Sequence, residues 1–523
     1  MKKLFLFALT SLLMTITSFG QTIVDTVDTD ITTNTTWSSN RTYLLKGYRF
    51  VKDGATLTIE PGTIIRGDKA SKATLVITKT GKIHASGTST NPIVFTSNEP
   101  AGSRNYGDWG GIVILGNAPI NVPGGTATIE GGLLGNDATY GGTNENDSSG
   151  VFRYVRIEYP GIAYQPNSEI NGLTMGGVGR KTIIENIQVS YSGDDSYEWF
   201  GGNVNCKYLI AHRGWDDDFD TDFGYSGKVQ FVLSMRDPNI ADQSQSNGFE
   251  SDNDGTGTTF TPITSPIFSN VTIIGPKENG TPASLYRRAL HLRRNTRTSI
   301  YNSVFVGYPT GLHIDGSAAQ SNATNNLLQL ENVIFANMTR KFEQDTFGVN
   351  IWAGMQSYFM NSSRNNQIDS VHLLGFGVGY NNLTNPNLLP DSTSPLLNGA
   401  SFLNPRLTDT FFTVVNHRGA FGEIDWTAGW SNFRPDTLTT SVRFVSAVNV
   451  SVYPNPFCDL IHIESDSEIM DISIYDFTGR KLRIEYGIEN TNGIVVAPEL
   501  SAGVYILTVN CKNGSLVKRV VKN

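Results

Sequence analysis

Between residue 50 and about residue 420 the chain is a succession of very short apolar strands, each broken by Gly or Pro, with hardly a helical period among them. Residues 54–64 read Gly-Ala-Thr-Leu-Thr-Ile-Glu-Pro-Gly-Thr-Ile, a strand, a Pro-Gly turn and the next strand. Leu75-Val76-Ile77, Lys82-Ile83-His84, Ile93-Val94-Phe95 and Trp109-Gly110-Gly111-Ile112-Val113-Ile114 continue the pattern. Strands this short bury little alone, so they must stack on copies of themselves, and that requirement points to a solenoid. A right-handed parallel β-helix fits, with about twenty to thirty residues per coil and successive coils at roughly 4.8 Å.

Asn supplies a register. Asn186, Asn270, Asn302 and Asn332 each stand just before a strand, and the last three are about one coil apart. An Asn at a repeated turn is expected to satisfy the amide of the neighbouring coil as a ladder. The competing architecture, an antiparallel sandwich array, needs Asn-Gly hairpin signals between matched strands, and these are scarce.

Composition agrees with a chain of turns. The 523 residues hold 53 Gly and only 17% charged residues, a balance that favours many short strands. A net charge of −8 argues against nucleic acid as a partner and suits cations. Lys2-Lys3, an apolar run from Leu4 to Ile16 and Ser18-Phe19-Gly20 before Gln21 read as a signal peptide over residues 1–20. That run is too short to span a bilayer, no Cys follows the cleavage site, and no later stretch is apolar enough for an integral membrane segment. Of three Cys, Cys206 sits alone in an apolar stretch, while Cys458 and Cys511 stand near the C-terminus as either a disulfide or two buried thiols.

The C-terminal residues form a separate small all-β module. They carry Tyr453-Pro454-Asn455-Pro456, then Ile474-Tyr475-Asp476-Phe477-Thr478-Gly479-Arg480, then Leu500-Ser501-Ala502-Gly503-Val504-Tyr505, and finish on Lys518-Arg519-Val520-Val521-Lys522-Asn523. This order of motifs resembles the C-terminal sorting domain of the type IX secretion system of Bacteroidota. The resemblance implies Tyr453, Pro454, Asn455, Pro456, Gly479, Gly503, Tyr505, Lys518 and Arg519 as the sorting signal. It also implies the type IX machinery as partner, and release or anchoring at the cell surface. The expected organisation is a signal peptide (1–20), a β-helix with an N-terminal cap region (21–433), a linker (434–448) and the sorting domain (449–523), a small β-sandwich.

The long middle region resembles secreted β-helix proteins of the pectate-lyase-like superfamily. Trp109-Gly110-Gly111-Ile112, Gly172 to Gly179, Gly193 to Gly202, and Arg418-Gly419-Ala420-Phe421 with Trp426 and Trp430 carry the likeness. It implies the fold and leaves activity to be argued from a site.

The chemistry concentrates between residues 193 and 255. Gly193-Asp194-Asp195-Ser196-Tyr197-Glu198-Trp199-Phe200-Gly201 and Asp216-Asp217-Asp218-Phe219-Asp220-Thr221-Asp222-Phe223-Gly224 align without gaps at an offset of 23, one coil. This spacing predicts Asp194 near Asp217, Asp195 near Asp218, and Phe200 on Phe223. Glu250, Asp252 and Asp254 form a third acidic patch before Gly255. Carboxylates about 5 Å apart repel by roughly 3 kcal/mol at an effective dielectric near 20. They therefore splay into solvent, take up protons or bind a cation. Oxygen ligands with little sulfur or imidazole nearby favour Ca²⁺ on Asp194, Asp195, Asp217, Asp218, Asp220, Asp222, Glu250, Asp252 and Asp254. A solvated acidic face with nothing bound is the alternative.

Catalysis would take one of two forms. Asp194 and Asp195 with Asp217 and Asp218 are candidates for the paired carboxylates of a glycosidase. Adjacent Asp pairs resemble part of the polygalacturonase pattern, but its Gly-His-Gly and Arg-Ile-Lys motifs are absent. A lyase needs Ca²⁺ and a base, for which His291 and Arg293, on one side of a strand opposite Leu290 and Leu292, are the candidates. Counting coils puts that strand about three turns, roughly 15 Å, beyond Asp218, too far for direct cooperation. Trp199, Trp215 and Tyr225, interleaved with the acids, are candidates for stacking on sugar rings. The expectation is a secreted or cell-surface protein that binds glycan or another polymer with Ca²⁺. A polysaccharide lyase or glycosidase is the alternative, and a structural spacer or adhesin the third.

Overall fold

The computed structural model describes residues 24–165, 168–343, 352–436, 450–476, 481–482, 484–511 and 514–523. The signal-peptide reading, Gly479 and most of the expected linker lie outside these residues. The chain divides into two compact units between Thr437 and Leu438. Arg434 to Asp436, expected as linker, belong to the first unit, where Asp436 accepts a hydrogen bond from the Gly102 amide (2.9 Å).

The first unit is a parallel β-helix. One sheet has ten parallel strands, one per coil, running from Tyr48–Val51 through Tyr197–Phe200, Phe219–Asp222, Phe249–Ser251 and Arg288–Leu292 to Thr310–Ile314 and Arg340–Phe342. A broader seventeen-stranded parallel sheet forms the remaining wall. The strands alternate with a period of two. Tyr197, Trp199, Phe219, Phe249, Leu290, Leu292 and Leu312 all point inward and are buried. Their aromatic members stack coil on coil, Tyr197 on Phe219 at 5.5 Å and Phe219 on Phe249 at 5.1 Å between centroids.

The Asn register has a different cause from the one expected. On the broad sheet each long strand bends at a left-handed residue, Tyr154, Asn186, Tyr208, Phe231 and Asn270 in consecutive coils, followed by Asn302 and Asn332 (φ between 49° and 61°). Asn tolerates this conformation better than other residues with a Cβ. Side-chain bonds do run from coil to coil, Gln230 to Asn270 (3.1 Å) and Asn365 to Asn332 (2.7 Å), and two of these Asn also hold a C-terminal strap. Asn302 pairs with both backbone groups of Ser401 (3.0 and 2.9 Å), and Asn270 donates to the His417 carbonyl (2.9 Å). Gln230 and Gln188 hold Thr413 and Asn432 in the same two-bond fashion. Gly419 lies in this strap at φ +80°, where a Cβ would meet the Thr272 hydroxyl at 2.6 Å.

The second unit contains two four-stranded antiparallel sheets around Phe457, Ile461, Ile463, Ile472, Ile474, Val495, Leu507 and Val509. The exposed turn Tyr453 to Pro456 is tied to the last strand, because Asn455 accepts from the Val521 amide (2.8 Å) and donates to the Arg519 carbonyl (3.0 Å). Tyr505 donates to the Ser501 carbonyl (2.7 Å), Gly503 opens the strand Gly503–Cys511, and Lys518 and Arg519 lie on Gly514–Lys522. Cys458 is exposed and Cys511 buried, and both are free thiols.

Candidate functional site

The outward residues of the ten-stranded sheet form one chemical column. Thr174, Glu198, Asp220, Glu250, His291 and His313 are register partners in consecutive coils. The offset from Glu198 to Asp220 is 22 residues, one short of the sequence alignment. The extra residue enters after Asp222, so the 23-residue spacing holds only from there, where Phe200 stacks on Phe223 (5.8 Å) and Cys206 pairs with Val229.

A one-residue slip reverses which face a side chain occupies, and it corrects the expected pairing. Asp195 meets Asp217, whose amide donates to Asp195 Oδ1 (2.8 Å), while Asp194 lies against Asp216. Asp218 turns into the coil, fully buried, and pairs with the equally buried Arg236 (2.8 Å). It is therefore no ligand of the acidic face.

The carboxylates that remain line a cleft of about 370 Å³. Asp194, Asp195, Glu198, Asp216, Asp217, Asp220 and Glu250 come from the coils, Glu130 and Glu169 from the two excursions that flank the strand Gly150–Glu158, and Arg293 from just past the basic strand. Asp194, Asp195 and Asp216 bring carboxylate oxygens within 4.8 Å of one another, and so do Asp195, Glu198 and Asp220. Asp195 is common to both groups. Burial first, and neighbouring carboxylates second, raise the Asp194, Asp195, Glu198, Asp217 and Asp220 carboxyls well above the usual range. Asp216 is pushed up to about 7, and Asp222, beside Asp252 and Asp254, to about 8. Asn171 donates to Glu198 and to Glu130 (3.2 Å), and Ser244 donates to Asp216.

The third acidic patch divides. Burial pushes the Glu250 carboxyl up, but the His291 hydrogen bond and the charges of Arg293 and Arg294 outweigh it and leave it low. Asp252 pairs with Arg293 (2.8 Å) and Arg294 (2.7 Å). Asp254 closes its own loop by accepting from the Thr256 amide (2.9 Å) and hydroxyl (3.0 Å). Asp222 accepts from the Phe223 amide (2.6 Å). Asp252 and Asp254 thus already have partners and stand apart from the cleft.

Distance along the axis also needs correction. Asp220, Glu250 and His291 occupy consecutive coils, so the basic strand lies two coils beyond Asp220, about 10 Å. Arg293 reaches the cleft and pairs with Glu250. Burial would lower its pKa, but Glu250 and Asp252 outweigh that and raise it, so the guanidinium is held protonated and is a poor base. Among the aromatic candidates, Trp199 and Tyr225 are fully buried and stacked at 5.3 Å, which makes them core rather than ligand-binding residues. Trp215 is 40% exposed beside Asp216, with its indole N–H donated to the Ala241 carbonyl (3.0 Å).

Two family models match the chain. Residues 29–379, more than half of it, match the pectate-lyase-like β-helix domain, and residues 451–523 match the secretion system C-terminal sorting domain. No curated protein and no solved structure matches it. The sorting domain directs export through the type IX secretion system to the cell surface or the extracellular space. No helix among the described residues is long and apolar enough to cross a membrane. With stacked parallel coils, a carboxylate-lined outer face and a sorting tail, the chain belongs to the pectate-lyase-like β-helix domain family.

Proposed function

We propose that this secreted β-helix protein takes up divalent cations, Ca²⁺ foremost, in the acidic cleft and through them binds an extracellular glycan. One observation carries the reading: Asp195 is shared by two groups of three carboxylates, while Arg293, the cationic side chain lining the cleft, is already occupied by Glu250 and Asp252. Hard oxygen donors in excess of positive charge match the six to eight oxygens that Ca²⁺ takes. A cation held on one side by Asp195 and its neighbours keeps coordination positions for sugar hydroxyls or uronate carboxylates, and Trp215 offers an exposed ring beside them. Calorimetric titration of the chelator-treated protein with Ca²⁺ tests the first step. Binding should be lost in Asp195→Asn, and retention of polyuronate or neutral glycan on the protein should need Ca²⁺. Equal glycan retention in Ca²⁺ and in chelator would leave the acids as a solvated face on a spacer.

The enzyme reading has support in Arg293 reaching the cleft and in a carboxyl at Asp216 poised near 7. A lyase needs a base within hydrogen-bond reach of the proton it removes, and Arg293 is locked in its protonated form by two carboxylates. No unsaturated product is expected from common polyuronates. A Ca²⁺-dependent β-elimination signal lost in Arg293→Ala would promote the lyase, and release of reducing ends lost in Asp216→Asn would promote the glycosidase.

A further inference from the structure

The outward column changes chemistry after Glu250, where carboxylates give way to His291 and His313. The two imidazoles stack with centroids 5.1 Å apart and planes within 7°. Asp315 follows at the end of the second strand, with Oδ2 3.5 Å from His291 Nε2 and Oδ1 3.9 Å from His313 Nε2. His291 is 6% exposed and His313 0%. Yet His291 Nε2 and both ring nitrogens of His313 have no hydrogen-bond partner among the described residues. Buried polar atoms left without partners are costly, and three in one spot call for an explanation.

Glu250 supplies part of it. Its carboxylate lies 3.2 Å from His291 Nδ1, an arrangement that places the proton on Nδ1. The lone pair is then on Nε2, facing a carboxylate oxygen. Acceptor faces acceptor, a clash that a second ring proton or a metal ion between them relieves. The nearby guanidiniums are engaged elsewhere, Arg288 with Glu343 (3.0 Å) and Arg293 with Glu250 and Asp252.

We propose that His291, His313 and Asp315 form a binding site for a borderline divalent metal of the Zn²⁺ class, with Glu250 as the residue that positions His291. Two imidazole nitrogens and one carboxylate oxygen are the donors of such ions and not of Ca²⁺. Ligand atoms around a tetrahedral Zn²⁺ with bonds of about 2.0–2.1 Å stand roughly 3.3 Å apart. The three groups here, all within 4.8 Å of one another, need only small side-chain adjustments to match. A carboxylate on the far nitrogen of a ligating imidazole is the usual support of a metal-bound histidine. The site goes beyond the cation reading of the cleft and does not rest on it.

Co²⁺ titration of the chelator-treated full chain is the test. One equivalent should give the intense visible absorption of four-coordinate Co²⁺, bleached by Zn²⁺ and untouched by excess Ca²⁺. His291→Asn, His313→Asn and Asp315→Asn should each weaken binding by at least about tenfold, and Glu250→Gln by about tenfold. Asp315 is the solvent-facing member, so its substitution tests the site without disturbing the core. Asp195→Asn in the cleft and His84→Ala on the opposite sheet should leave the spectrum unchanged. A pale six-coordinate spectrum, or a four-coordinate one that survives Asp315→Asn and His313→Asn, would overturn the proposal and leave His291 as a protonated partner of Glu250 and Asp315.

Discussion

Asp218 and its neighbour Asp217 leave the same turn in opposite directions, one into the coil and the other into the cleft, and their surroundings differ accordingly. Asp218 is fully buried against Arg236, with Ser234 completing its shell. Asp217 is nearly as buried, but burial and then the charges of Asp216 and Glu250 push its carboxyl up, against the Asn247 amide that it accepts from. A buried charge persists when it is paired. The first carboxylate therefore belongs to the architecture, and the second faces other carboxylates in the cleft.

The largest test of this contrast breaks the paired side. Arg236→Met strands Asp218 and should cost about 3–5 kcal/mol, read as a lowered urea midpoint, whereas Asp217→Asn in chelator should be neutral or stabilising. Equal losses would erase the distinction. The proposed cation comes next. Ca²⁺ at a hundredfold over its Kd should stabilise the chain by about 2.7 kcal/mol, and Asp195→Asn should remove that gain in thermal melts.

Protons should substitute for the cation. Asp194, Asp195, Glu198, Asp216, Asp217 and Asp220 have raised pKa values in the folded state, so the native protein binds more protons than the unfolded chain. In chelator, stability should fall as pH rises from about 4, the unfolded carboxylate value, through the folded value of about 7 at Asp216. Ca²⁺ should flatten that slope. His313, lowered to about 4, works the other way and loses stability as pH falls below about 6.5. The smallest change is expected where a pair is exposed. Arg153 and Glu185 meet at 2.8 Å with both side chains 36% exposed, and Glu185→Gln should cost under about 0.5 kcal/mol.

Much of this was legible in the residues. The coil architecture follows from strands too short to stand alone, and the tail from its ordered motifs. The acidic face and the shared side of His291 and Arg293 follow from period-2 alternation. What escaped has one physical origin, because the length of a turn is not set by the coil period. One extra residue after Asp222 makes the 23-residue offset fail before it, so Asp218 falls opposite the interior Ser196 and not opposite Asp195. The 41 residues from Glu250 to His291 belong to a single coil with a long excursion, so counting by length overestimated the distance between acids and bases. Glu130 and Glu169 reach the cleft by two further excursions, which no spacing in the sequence signals. Trp199 and Tyr225 carried no mark to separate a core ring from an exposed one.

The strap alters how the stack comes apart. A solenoid whose coils touch only their neighbours frays from its ends, one repeat at a time. Here the segment from Ser401 to Asn432 runs across several coils, joining Asn302, Asn270, Gln230 and Gln188 by amide-to-backbone bonds, the last between residues 244 apart in sequence. No coil in that span can open without loosening the strap over the others, so the span should behave as one cooperative unit. Native-state amide exchange should then show even protection from Gln188 to Asn302 in place of a gradient toward the ends. Contacts so remote in sequence are slow to form, and in kinetic terms the middle of the stack waits for the end of its own domain before it locks.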